Sequence, residues 1–403
     1  MKRIWKLAVG AFVVAASLQA AHAQKKYGPG VTDTEIKLGQ TMPYSGPASA
    51  YGSQGKATLA YFKMVNAKGG INGRKINLLS MDDGYSPPKT IEQTRKLVEQ
   101  EEVLAVMNSL GTPTNSAIHK YLNQKKVPHL LVSTGASKWN DPKNFPWTTP
   151  FYPPYVEEGI IYGKHVVANH PNAKIAIVSQ NDDSGRDYVK GFKIGLGAKV
   201  SQVVKEVTYE VTDATVDSQV IDLKGTGADT LFTMATPKFG AQVIRKVADL
   251  GWKPNHYIVS VSSSQGGVLE PAGLQNAVGL ITAMALKLAG DPTWENDQGM
   301  KDFLKFMKEW FPDGNPVDSS VVLGYTTAQM IELILTRAGD NLTRENILKV
   351  ATNIQKQTFP LLLPGVTVNV APDNYATFTT FRTARFDGKR WGIFGDPIDA
   401  SAK

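Results

Sequence analysis

The 403-residue chain contains no cysteine. Disulfides are therefore excluded, thiolate metal sites are excluded, and a lipid anchor that needs a cysteine at its cleavage site is excluded. Whatever the chain folds into must hold together by burial alone, and its length provides for two cores rather than one. Only six histidines occur, and no H-E-x-x-H is among them; His165 and His170 are five apart, off the i, i+4 spacing of a helical metal pair. No metal and no cofactor are expected. A G-x-S-x-G elbow is missing, and the Gly159–Gly163-Lys164-His165 stretch has the wrong count for a phosphate loop. Asp82-Asp83 and Asp182-Asp183 are neighbours along the chain, which point opposite ways at a strand end, so they read as turn and capping residues rather than paired acid–base catalysts. No catalytic residue is assigned and an enzyme is not expected. Nor is there a basic run interleaved with aromatics, so nucleic acid is not an expected partner.

Only one apolar run stands out, Leu7 to Ala20, and it is short for a membrane span. It follows the basic start Met1-Lys2-Arg3 and precedes Ala21-His22-Ala23, an A-x-A site. Residues 1–23 thus read as a secretory signal peptide cut before Gln24, with an exported product free of a direct membrane anchor. The formal net charge is +8; Lys2, Arg3 and Lys6 leave with the leader, and the mild remaining excess reads as a solvated lysine surface.

What is present is an alternation of apolar runs and helical stretches. Val103–Met107 ends in the polar turn Asn108–Asn115, a helical segment follows, and a second apolar run, Val127–Val132, ends in Ser133-Thr134-Gly135-Ala136-Ser137. Parallel strands put both turns on one sheet edge, where ligands of open α/β sheets sit. Pro113 suits a first helical turn, and Thr112, Thr114 and Asn115 can cap it. Free amides and hydroxyls should converge there, an arrangement that suits a carboxylate; ordinary capping chemistry explains the same residues without a ligand. Strands at Thr34–Gln40 and Lys75–Met81, with helices before Gly69-Gly70 and after Pro87-Pro88, complete a first α/β unit. Gln24–Gly30 reads as a loose leader. Asp141–Pro154, rich in proline and aromatics, reads as a crossover. Beyond it the alternation restarts, with strands at Lys174–Gln180, Val203–Val211, Thr230–Met234 and Tyr257–Val261. Val278–Met284 is expected to return the chain to the first unit, late amphipathic helices follow, and Tyr375–Phe394 reads as a two-stranded ribbon.

At this point the chain resembles the periplasmic solute-binding proteins of ABC importers, in the branched-chain amino-acid-binding branch. The residues that carry the resemblance are Ile36–Gly39, Ser45-Gly46-Pro47, Tyr51-Gly52, Val65–Arg74 with its paired glycines, Asp82-Asp83, Val127-Pro128, Gly135-Ala136-Ser137, Ile175–Val178 and Asp183-Ser184-Gly185. The resemblance implies a type I periplasmic binding protein fold: α/β, two Rossmann-like lobes, each with a mostly parallel sheet flanked by helices, joined by three crossovers. It places residues 31–146 and 278–372 in lobe 1, and 147–277 and 373–403 in lobe 2. It implies that the first lobe binds a ligand carboxylate through Thr112, Gly135 and Ser137, with Ser109, Thr114 and Ala136 beside them and Tyr51 lining the pocket.

The second lobe departs from the family pattern. Where amino-acid binders hold the ligand ammonium with a glutamate, this chain has Val261-Ser262-Ser263-Ser264-Gln265, and Ser184 and Thr236 stand where tyrosines are usual. An ammonium buried without a counter-charge would cost several kcal/mol. The expected cargo is therefore a carboxylate without an α-ammonium, such as an aromatic or keto acid, with Ser184, Thr236, Ser262 and Ser263 around its far end. The alternative is a branched-chain amino acid or an amide, with Asp182 or Asp183 supplying the missing charge. The expected partners are the permease and ATPase of an ABC importer, and the expected state is a periplasmic monomer; a ligand-sensing module for a receptor and, less so, a hydrolase are the readings from other classes.

Overall fold

The computed structural model describes residues 25–400; the expected signal peptide lies outside them. Two sheets organise the chain. The first has the order Lys75–Asp82, Glu35–Met42, Ala105–Met107, His129–Val132, Thr148–Pro150, every junction parallel. The second has the order Trp391–Asp399, Thr380–Phe386, Ile281–Met284, Asn255–Ile258, Thr230–Met234, Ile175–Gln180, Val203–Tyr209. Its five strands from Ile281–Met284 to Val203–Tyr209 are parallel, and the two C-terminal strands are antiparallel.

The central strands are buried and mostly apolar because helices cover both faces. Ile175–Gln180 and Thr230–Met234 are buried at every position, whereas the edge strand Val203–Tyr209 alternates with solvent. Helices Gly52–Ala67 and Ser319–Ala338 pack beside the first sheet, where Tyr61 meets Phe306 and Tyr325 ring to ring at 6.1 and 5.1 Å. Helices Tyr155–Asn169 and Asp183–Leu196 pack on the second, with Phe192 stacked on Phe232 at 4.3 Å.

The chain passes between the sheets after Pro150, after Met284 and again before Thr380, which gives three crossings. Four expectations change. Ile281–Met284 does not return to the first lobe; Tyr257 pairs with Ile281, so the chain stays in the second sheet until Met284. Thr148–Pro150 still belongs to the first sheet, past the expected break at 146. The C-terminal pair is no isolated ribbon either, since Ile281 to Met284 pair with Arg385 to Arg382. The loose leader is likewise pinned: Lys26–Tyr27 runs parallel to Asn341–Leu342. Each difference is a strand joining a partner far along the chain, which local pattern does not reveal.

Candidate functional site

The turn after Ala105–Met107 has an unusual backbone. Gly111 sits at φ +101°, and a side chain there would press against the Tyr85 ring, with a Cβ 2.4 Å from Cε2. The helix Thr112–Gln124 begins at once, with Pro113 in its first turn. Thr114 and Asn115 do not cap the helix amides. Thr114 Oγ1 donates to Leu110 O and to Gly111 O (3.0 Å), and Asn115 Nδ2 donates to Ser109 O at 2.9 Å and Gly111 O at 2.7 Å. Among the described residues the N–H groups of Thr112 and Thr114 thus have no acceptor. They form the positive end of a four-turn helix.

Thr112 opens on a cavity of about 80 Å³ between the sheets, several times the roughly 10–15 Å³ that one buried water needs. Tyr51, Gln54, Tyr85, Leu110 and Ser133 line it from the first lobe; Tyr152 comes from the crossover; Tyr155, Ser184, Met234, Thr236, Ser260 and Ser263 come from the second lobe. Much of the rest of the wall is apolar, built from Ala283–Leu286, Leu288, Leu323, Phe378 and Phe381, with Ser319 and Ser320 also on the lining. None of the lining residues is Asp, Glu, Lys, Arg or His. Burial pushes the phenols of Tyr51, Tyr85 and Tyr152 well above their ordinary range, so all three stay neutral.

The lobes meet around this cavity. Tyr51 Oη donates to Val261 O at 3.0 Å. Ser137 gives its backbone N–H to Asp187 Oδ2 at 2.6 Å and its hydroxyl to Oδ1 at 3.1 Å. Lys138 pairs with Asp183 at 3.0 Å. Asp318, whose pKa burial raises, accepts Ser53 Oγ at 3.0 Å from one side and Ser264 Oγ at 2.8 Å from the other.

Five of the residues singled out from the sequence converge on the cavity: Tyr51, Thr112, Ser184, Thr236 and Ser263. Six stand off it. Ser109 is buried, its hydroxyl accepting Thr41 N at 3.3 Å. Thr114 is held by its own carbonyl bonds. Gly135 is where the crossover lies on the turn, a Cβ falling 1.8 Å from Pro153 O, and its carbonyl accepts Tyr155 N at 2.9 Å. Ala136 is buried behind it, its N–H on Thr134 Oγ1 at 3.4 Å. Ser137 faces Asp187 at the lobe junction, and Ser262 Oγ is turned away onto Ala235 O. The two candidate acids are also committed: Asp182 accepts Gln180 Nε2, Ser184 Oγ and Gly185 N, and Asp183 pairs with Lys138 and Arg186. Neither lines the cavity.

Sequence reasoning missed Gln54, Tyr85, Tyr152, Tyr155 and Ser260. Gln54 stands three residues after Tyr51, close enough to share a helical face, and Tyr152 lies in the aromatic crossover with Tyr155 directly after it; those signals were available. The apolar part of the wall is drawn from three separate segments between Ala283 and Phe381 and left no local trace.

Residues 35–393 match the family described as periplasmic binding protein. This chain belongs to that family. Periplasmic binding proteins of this kind are solute-binding proteins rather than enzymes, and among the described residues no helix is long and apolar enough to cross a membrane. A Leu/Ile/Val-binding protein homolog 7 of Brucella abortus is 23% identical over 275 residues, which cover 66% of this chain and 66% of that protein, just under two thirds of its length. A branched-chain amino acid ABC transporter protein of Thermus thermophilus with bound valine superposes with a TM-score of 0.81 at 17% identity, over 91% of this chain and 97% of that one. A solute-binding protein of Rhodopseudomonas palustris BisB5 in complex with 3,4-dihydroxybenzoic acid does so at 0.77 and 20% identity, over 92% and 98%. These likenesses show the type I periplasmic binding protein fold expected from the sequence.

Proposed function

We propose that this protein captures a small organic carboxylate lacking an α-ammonium, an aromatic acid first among them, and delivers it to the permease and ATPase subunits of an ABC importer. One observation carries the reading: the cavity between the lobes is lined by Thr112 with its open amide, has a mostly apolar wall, and has no charged side chain anywhere on its lining. The carboxylate is matched by the helix N-terminus at Thr112, whose N–H and dipole favour an anion. Tyr51, Tyr85 and Tyr155 flank an apolar body. Ser184, Thr236, Ser260 and Ser263 meet its far end.

The solved neighbours hold both valine and a dihydroxybenzoic acid, so fold alone permits either class. The amino-acid reading lacks an acid for the ammonium, because Asp182 and Asp183 are engaged elsewhere and an unpaired buried cation costs several kcal/mol. Gentle purification of the exported protein, denaturation and mass spectrometry of the released molecule test the proposal directly. Calorimetric titration is the second test, with benzoate-type acids expected to bind and leucine not. Leucine binding more tightly than every ammonium-free acid overturns it.

A further inference from the structure

We infer that the serine hydroxyls on the second-lobe wall of the cavity, those of Ser184, Ser260 and Ser263, accept hydrogen bonds and give none, so that the preferred cargo carries a neutral donor, a hydroxyl, opposite its carboxylate. This deepens the proposed function and rests on it. Each Ser or Tyr hydroxyl has one hydrogen to give, and here three on the second-lobe wall, with Tyr51 of the first lobe beside them, are already spent. Ser260 Oγ donates to Glu158 Oε2 at 2.7 Å. Glu158 is completely buried and receives three further donors, Ser260 N at 2.8 Å, Tyr162 Oη at 2.6 Å and Tyr188 Oη at 2.8 Å. The direction at Tyr162 is fixed from behind, because Ala283 N donates to its oxygen at 2.9 Å. Ser184 Oγ donates to Asp182 Oδ1 at 2.5 Å. Ser263 Oγ donates to Ser260 O at 2.8 Å, and Tyr51 Oη to Val261 O at 3.0 Å. All four residues line the cavity, and none of these hydroxyls has a hydrogen left to give it.

Glu158 and Asp182 are therefore positioning residues. Neither reaches the cavity; each aims a serine that does. A cargo whose far end only accepts, such as a methyl ether or a second carboxylate, would set lone pair against lone pair and leave those oxygens unpaired. An ammonium would donate, yet finds no free carboxylate: Glu158 already holds four donors and Asp182 three. A site built to hydrogen-bond a substrate group discriminates strongly against the analogue that lacks it.

The test is calorimetric titration of the mature protein with benzoate, the 3- and 4-hydroxybenzoates, the matching methoxybenzoates, terephthalate and 4-(aminomethyl)benzoate. At least one hydroxybenzoate is expected to bind ten-fold or more tighter than its methoxy counterpart and than the aminomethyl compound. In Glu158→Gln the amide donates to Ser260 Oγ and releases the serine hydrogen into the cavity. The hydroxy-to-methoxy ratio should then fall at least three-fold, a change that loss of stability alone would not produce. Asp182→Asn makes the same comparison at Ser184 should the buried Glu158 variant fail to fold. Methoxy compounds equal to or tighter than both hydroxy compounds overturn the inference while leaving the carboxylate reading intact. So does an unchanged ratio in every variant that folds. If no carboxylate of the series binds, the parent reading fails and this one with it.

Discussion

Two residues decide how the cavity is shaped at the residue scale. Gly111 occupies a backbone region where a Cβ is strained by about 1–3 kcal/mol, and that Cβ would also strike Tyr85. Gly111→Ala is expected to lower the melting temperature and to weaken ligand at least ten-fold, because the Thr112 amide moves with it. Unchanged affinity by calorimetry would remove the helix start from the site. Tyr51→Phe is gentler. It deletes one hydrogen bond across the lobes, worth about 1 kcal/mol, so affinity should fall roughly five-fold with little change in the ligand-free protein. That such neighbouring hydroxyls as Ser262 and Ser263 differ, one turned to Ala235 and one lining the cavity, was not legible in the sequence. Three successive serines carry the same local signal, and only the turn's dihedral angles separate them.

At the scale of elements, the turn Ser133–Ser137 meets the cavity at Ser133 and acts as a clasp at its far end. Its contacts run to the helix Asp183–Leu196 of the opposite lobe, through Ser137 and Asp187. Ser137→Ala removes the hydroxyl bond and leaves the backbone one, so it should weaken binding only a few-fold, through faster ligand release with the association rate unchanged. Thr112→Ala, at the cavity itself, should cost more. Equal losses in the two variants, by stopped-flow and calorimetry, would put Ser137 back against the ligand. The neighbouring Lys138–Asp183 pair is exposed and worth at most about 1 kcal/mol.

For the molecule as a whole, closure and pH stability follow from the two-lobe plan. Ligand can drive closure only by binding the closed form better, and the contacts of Tyr51, Ser137 and Asp318 across the junction describe that form. Small-angle scattering should show compaction at saturating ligand; an unchanged radius of gyration counts against a hinge. The second sheet also holds His256, bonded to Thr233 Oγ1 at 2.9 Å, whose pKa burial lowers to about 3. The unfolded chain takes up that proton near pH 6.5. Stability from this group is thus complete above about pH 6.5 and is lost as pH falls toward 3, by up to about 1.4 kcal/mol per pH unit. His256→Gln keeps a hydrogen bond and removes the titration. Denaturant unfolding across that range should fall more steeply for the wild type, and parallel curves would refute the assignment.

The amino-acid order by itself determined the repeating strand–helix units, the two-sheet plan, the turn before Pro113 and the lack of an acid among Ser262–Gln265. Those features are periodic or local, and periodicity and turn chemistry are written in neighbouring residues. Tertiary structure alone decided that Ile281–Met284 stays in the second sheet, that Gly135 is small because Pro153 lies on it, and that Thr112 faces the cavity while Thr114, in the same helical turn, does not. It also decided that Glu158 lies behind Ser260. Each of these is settled by a partner distant in the chain, and the direction of a buried hydroxyl is fixed by whichever acceptor folding brings beside it.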